Sequence, residues 1–209
     1  FLRKIPYRIE CFDISNIQGK DAVASMSVAI GGKLEKKEYR KFKIRTKNTP
    51  DDFSMMKEVL YRRYSKLDNE KWPDLILLDG GKGQLGVGEE VLKSIGKIDF
   101  VDMISIAKRE EEVFKIKEKE PYILDKSSEE LKILQRLRDE AHRFGVKYHR
   151  MLRQKRVMGS ELDEIKGIGE KRKNDLLKRF KSVKRIFEAS LEELNEIVPK
   201  NIALKLKER

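Results

Sequence analysis

A single cysteine, Cys11, stands in 209 residues, so no internal disulfide can form. Lying in the apolar run Ile9–Ile14, it reads as a small buried hydrophobe in a protein of the reducing cytosol. No stretch approaches the roughly 18 consecutive apolar residues of a membrane span, and no segment carries the clean Leu or aromatic face of a membrane-surface helix. The start lacks the pattern of a secretory signal. It is Phe1 rather than Met, which fits a piece of a larger protein. The glycines at 80, 81 and 83 surround Lys82 without the G-x-x-x-x-G-K-[ST] spacing, which argues against a nucleotide-binding P-loop.

Charge, by contrast, is abundant. Charged residues make up 40% of the chain and hydrophobic ones 39%, with a net charge of +12 and a pI of about 9.6. About a quarter charged is usual. A core is affordable at this length, and the excess of Lys and Arg makes an anionic partner, nucleic acid first, the expectation.

Periodicity orders the chain. Strands are expected at Arg8–Ile14, Ala22–Ile30 and Leu34–Ile44, separated by turns at 16–19 and Gly31-Gly32, as an antiparallel meander. A Thr or Asp cap at 49–52 opens a helix over about 51–66. Leu75–Leu78 is short and wholly apolar, as a buried parallel strand is. After a flexible turn at Gly80–Gly83 come a helix Gln84–Ile95 and a strand Val101–Ala107. Val113–Ile116 and Tyr122–Leu124 suggest a hairpin. Leu131, Leu134, Leu137, Ala141, Phe144 and Tyr148 mark a long helix over about Ser128–Val157. Gly159-Ser160 reads as a linker before two similar short-helix units. The expected architecture is an α/β mixed sheet with flanking helices (1–157), followed by a small all-α module (158–209).

Two acids sit where such sheets place ligands, at the carboxyl ends of strands: Asp13 after the first apolar run and Asp79 after Leu75–Leu78. If those strands are neighbours, their carboxylates converge. Hard oxygen ligands suit Mg²⁺ or Mn²⁺, and a histidine, His142, tilts the choice modestly toward Mn²⁺. A lone strand-end Asp is more often a turn or cap residue, and Asp52 on local grounds serves the dipole of its helix. A histidine among arginines is commonly a solvated one, and His149 reads as surface or as a support to the site. Lys82 is a candidate phosphate or water contact. In the last fifty residues, Leu162–Arg172 resembles a helix–hairpin–helix: Gly167-Ile168-Gly169 opens a helix whose first N–H groups face a phosphate, with Lys171, Arg172 and Lys173 alongside. Leu191–Leu206 looks like a second copy, with Asn201 a candidate for the left-handed conformation that glycine takes. Leu162, Ile165, Leu176, Phe180, Ile186, Phe187, Leu194 and Ile197 are its expected core.

The motifs Phe-Asp-Ile-Ser (12–15), Thr-Pro-Asp-Asp-Phe (49–53), Leu-Asp-Gly-Gly-Lys-Gly-Gln (78–84) and Arg-Asp-Glu-Ala-His-Arg-Phe (138–144), in this order, resemble the C-terminal half of the UvrC family, the incising subunits of bacterial nucleotide excision repair. The resemblance implies a ribonuclease-H-like endonuclease domain making the 5′ incision near a lesion, with a tandem helix–hairpin–helix domain after it. It implies that Asp13, Asp79 and His142 match the family's catalytic set, His142 as ligand or as general base, and that Asp52 matches a further acidic position. The implied partners are damaged double-stranded DNA and, through the full-length protein, the UvrB–DNA complex. The family's 3′-incising domain and UvrB-contacting segment have no counterpart in this sequence, and 114–122 departs from the family's Gly- and Pro-containing loop. Arg138 and Arg143 on the long helix, with the basic strand 33–47, would flank the DNA backbone. A monomeric, cytoplasmic protein without membrane contact is expected. The rivals are a non-catalytic DNA-binding module that positions a partner nuclease, and a resolvase- or transposase-like nuclease with the same metal chemistry.

Overall fold

The computed structural model describes residues 2–15, 22–45, 51–108 and 111–208, and the side chains of all of these except 15 and 152–160. The turn expected at 16–19 and the Thr49-Pro50 cap lie outside the described residues. The chain divides into two compact units, 1–149 and 150–209.

The first unit is a mixed sheet. Its strands are β1 (Arg8–Ser15), β2 (Val23–Ile30), β3 (Lys33–Leu34), β4 (Arg40–Lys43), β5 (Leu75–Asp79), β6 (Asp102–Ile106) and β7 (Val113–Lys115). The order is β3-β2-β1-β5-β6-β7, with β4 also on β2. β1, β5 and β6 run parallel; β1–β2, β2–β4 and β6–β7 are antiparallel. The wholly apolar Leu75–Leu78 therefore sits in the middle of the sheet, as its lack of alternation requires.

The single third strand expected at Leu34–Ile44 is broken. A 3-10 turn at Lys36–Glu38, capped by the Glu35 carboxylate, separates β3 from β4, and both halves pair the outer edge of β2. Charged, interrupted edges resist pairing with a second sheet. The expected second hairpin reduces to β7 and one bridge, Val113 to Tyr122.

Strand parity sorts the residues into two cores. On one face Phe12, Met26, Ile76, Leu78 and Met103 pack against helices α1 (Asp52–Tyr64) and α2 (Lys82–Ser94). On the other, Ile9, Cys11, Leu75, Leu77, Ile104 and Ile106 pack against Leu131, Leu134, Leu137 and Ala141 of α3 (Glu129–Asp163). Each of the buried Leu, Ile, Phe and Met side chains among these stabilises the fold by about 2 kcal/mol. Helix α3 is pinned to β2 by two serines: Ser25 Oγ donates to the Ala141 carbonyl (2.6 Å) and Ser27 Oγ to that of Leu137 (2.7 Å). Its backbone is helical through Gly159-Ser160, so the linker expected there is not a break in helix. Glycine lowers helix propensity by only about 1 kcal/mol, which neighbouring residues outweigh.

The second unit holds α4 (Glu170–Phe180), α5 (Val183–Glu188), α6 (Leu191–Asn195) and α7 (Lys200–Lys207). Its core contains all eight expected residues, Phe180, Phe187 and Ile197 only partly buried, and adds Ile168, Val183, Val198, Ile202, Ala203 and Leu206. Asn201 lies inside α7 and not in the left-handed region; Pro199 is the N-cap, and among the described residues of this unit Gly167 and Lys181, after α4, are the ones with positive φ. Among the described residues no helix is long and apolar enough to cross a membrane.

Candidate metal centre and hairpin

The parallel register places Phe12 opposite Leu78, so the next residues, Asp13 and Asp79, lie level at the carboxyl ends of adjacent strands. Both belong to the odd-numbered rows of β1 and β5, the rows that face α3. One residue beyond the buried Ala141, His142 comes off that helix toward them. Its Nδ1 lies 3.2 Å from Asp13 Oδ2. One ligand atom from each of Asp13, Asp79 and His142 falls within 4.8 Å of the others. Such a trio of donors is of the kind that holds a small divalent cation.

The electrostatics call for a cation as well. The Asp79 side chain is only 5% exposed, and its Oδ2 has no hydrogen-bond donor among the described residues. Burial first, and the Asp13 charge second, push its pKa from 3.8 up to about 6, against the opposing pull of Lys108. The Lys108 ammonium stands 3.3 Å from Asp79 Oδ2. Two carboxylates, one of them with a buried oxygen that accepts no hydrogen bond among the described residues, and an imidazole fit a hard divalent ion.

The glycine-rich motif has a structural account. Gly80 carries φ +143, a backbone that turns the chain off β5, and its N–H donates to the Ile106 carbonyl. Gly81 caps α2, its N–H donating to Gln84 Oε1 at 3.1 Å. The flexible turn expected over 80–83 is thus shorter, since Lys82 already opens the helix. Lys82 is not brought to the acids: its ammonium donates to the Lys119 carbonyl at 3.2 Å. The lysine at the acids is Lys108, which sequence reasoning missed; the signal was its place just past the apolar strand that neighbours β5. Asp52 is exposed as the first residue of α1 and lies outside the Asp13–Asp79–His142 cluster, while Asp51 caps the helix by accepting from the N–H groups of Phe53 and Ser54.

Three basic residues assigned to DNA are occupied elsewhere. Arg138 is 9% exposed, with its Nη1 donating to both Glu111 oxygens at 3.0 and 3.2 Å and its Nε to Asp139. Helix periodicity turns this position inward, beside Leu134 and Ala141. Lys173 donates to both oxygens of Asp163 at 2.7–2.8 Å and sits 3.5 Å from Glu170. Arg172 Nη1 donates to the Gly167 carbonyl at 2.7 Å, closing the hairpin from within. Arg143 is exposed and paired only locally, with Glu140 one turn back. His149 is buried, not a surface residue, and its Nε2 has no partner among the described residues.

In the hairpin, Gly167 has φ +109 and packs against Ile202, where a Cβ would come within 3.0 Å of Cδ1. Gly169 caps α4 without any side-chain bond and faces open space, so the first N–H groups of α4 are left without a capping side chain. Lys171 is exposed beside them.

Fold and site together define a ribonuclease-H-like domain with an Asp–Asp–His centre. Residues 1–146 match the description "UvrC RNAse H endonuclease domain", and the chain belongs to that family. It is 59% identical over 208 residues to the UvrABC system protein C of Fusobacterium nucleatum subsp. nucleatum, covering 100% of this chain and 35% of that protein. It is 52% identical over 204 residues to the UvrABC system protein C of Porphyromonas gingivalis, covering 97% and 34%. The chain therefore spans about a third of the length of these curated relatives.

Proposed function

We propose that this chain is a divalent-metal-dependent DNA endonuclease that makes the 5′ incision beside a lesion in nucleotide excision repair. The convergence of Asp13, Asp79 and His142 around an undonated buried oxygen carries the reading. Those three side chains would hold Mg²⁺ or Mn²⁺, with Asp52 a supporting acid toward an incoming strand. When bound, the ion supplies Lewis-acid polarisation of the scissile phosphate and a more acidic water. The reaction is hydrolysis: a water oxygen bonds to phosphorus, one P–O bond to a flanking sugar breaks, and the sugar oxygen leaves as a hydroxyl.

The residues divide the remaining tasks. Asp13 accepts from His142 if Nδ1 carries the proton, which fixes the ring. The apolar packing of Leu77, Ile104, Ile106 and Ala141 keeps bulk water from the floor of the site. The module at 158–209 reads phosphates through the α4 N-terminus, with Gly167 and Gly169 shaping the hairpin and Lys171 adding charge. Arg143 exchanges Glu140 for a backbone phosphate. Damaged duplex DNA is the substrate, delivered in the full-length protein by the UvrB–DNA complex.

The test is nicking of supercoiled plasmid with Mg²⁺, Mn²⁺ or chelator, comparing the wild type with Asp79→Asn. Metal-dependent nicking, lost in the variant, is expected. Nicking that survives chelator or the substitution refutes the assignment.

A further inference from the structure

The residues between β6 and β7 bring a lysine to Asp79 and are joined to α3 by a partly buried ion pair, Arg138 with Glu111. Ala107 N–H donates to the Glu112 carbonyl at 2.9 Å, closing the loop's base. Lys108 leaves that base with its ammonium 3.3 Å from Asp79 Oδ2 and its side chain 58% exposed. Glu111 has φ +56, a left-handed backbone that is unfavourable for a non-glycine residue. Such strain persists only where surrounding contacts impose it. Here they are the two hydrogen bonds from Arg138 Nη1, whose guanidinium is itself held by Asp139. Arg138 lies four residues before His142, on the same face of α3. One helix thus carries His142, which meets Asp13, and Arg138, which meets Glu111, three residues on from the Lys108 that meets Asp79.

We propose that the Arg138–Glu111 ion pair is a latch presenting Lys108 to Asp79, and that Lys108 contacts the scissile phosphate once Asp79 has taken up a cation. The proposal rests on the nuclease reading above. Without a cation, the ammonium is the positive charge beside the acidic pair. A divalent ion neutralises Asp13 and Asp79, leaving Lys108 to meet the one negative charge of the phosphodiester. Its long stem and exposure allow that short turn, and the closed base of the loop keeps it within reach. Lys108 is then a catalytic residue, and Arg138 and Glu111 are positioning residues.

Two measurements on the whole chain decide it. The first is Mn²⁺ titration by calorimetry, which needs no turnover. Lys108→Ala removes a cation that competes for Asp79, so Mn²⁺ binds about threefold tighter or more; Glu111→Gln gives part of that gain by loosening the loop. Affinity unchanged in both overturns the latch, whether or not the chain cuts DNA. The second is plasmid nicking at saturating Mn²⁺. Lys108→Ala and Glu111→Gln each lower kcat, by about tenfold or more for the lysine, with KM for DNA unchanged. The double variant is no slower than Lys108→Ala alone, because the latch acts only through the lysine. Additive losses, or a raised KM with unchanged kcat, overturn the proposal in favour of a plain fold anchor or a DNA contact. Glu111→Gly, which suits φ +56, guards against unfolding and must reproduce the Glu111→Gln result. Loss of all nicking in Asp79→Asn, with the lysine and latch variants like wild type, upholds the nuclease and sinks the latch.

Discussion

Strand β1 carries two buried acids three residues apart, and the protein treats them oppositely. Glu10 faces α1 and is fully satisfied: it accepts from Arg63 Nη2 (2.7 Å), Arg63 Nε (3.0 Å), Tyr64 Oη (2.9 Å) and Arg8 Nη2 (2.8 Å). Burial alone would raise its pKa, but Arg63 and Arg8 outweigh that and hold it below 4.5. Asp13 faces α3 beside Asp79, where two carboxylates crowd together and one oxygen of Asp79 has no donor. A buried acid ringed by its own cations is architecture. One crowded against a second carboxylate, at strand ends and beside a histidine, has the environment of a candidate site.

The sharpest way to break this contrast is to neutralise one acid of each kind. Asp79→Asn should abolish nicking, by about a thousandfold or more, yet stabilise the metal-free protein at pH 7.5 by up to about 2 kcal/mol in thermal or urea unfolding. Glu10→Gln should do the reverse. It leaves Arg63 buried without its counter-charge and destabilises by about 2–4 kcal/mol, while nicking per folded molecule stays at the wild-type level. If Glu10→Gln and Asp79→Asn lose activity and stability alike, the division between the two acids is wrong.

Proton linkage separates them next. The Glu10 pKa is lowered on folding, so its contribution is present above pH 4.5 and is lost as pH falls through the folded value. Asp79 is raised from 3.8 to about 6, so its contribution to metal-free stability is lost as pH climbs across that interval. Protons and metal compete for Asp79, and Mn²⁺ affinity should therefore weaken as pH falls below about 6. Titration by calorimetry at pH 5.5 and 7.5 checks the direction.

The smallest effects lie in the hairpin. Gly167→Ala meets both a left-handed φ and Ile202, and should destabilise the module by about 1–2 kcal/mol. Lys171→Ala should leave stability alone and reduce the salt slope of DNA binding by about one unit.

The acids were legible because a carboxylate ending an apolar run is a local pattern, and so was His142, one residue past an inward position of a periodic helix. Register was not local. That Asp13 and Asp79 lie level depends on β1 and β5 being parallel neighbours, which no single segment declares. Lys108 was missed because nothing in its own neighbourhood separates it from the other lysines; only β6 lying beside β5 does. Arg138 reads as a DNA contact from its place on a basic helix, whereas its inward position and a glutamate 27 residues earlier decide its fate. The role of Glu10 is not legible in its own segment, since most of its partners come from α1. The broken third strand shows the same limit: Lys36–Glu38 has no glycine or proline to announce a turn, and the Glu35 cap emerges only in three dimensions.

The two hydroxyls of β2 have a mechanical consequence. A helix slipping by one residue moves about 1.5 Å and rotates about 100°; against β2 that would unseat Ser25 from Ala141 and Ser27 from Leu137 together. The same slip would swing His142 away from Asp13. The pair of serines is therefore a gauge for the imidazole, and the placing of His142 against Asp13 is borrowed from a strand outside the cluster.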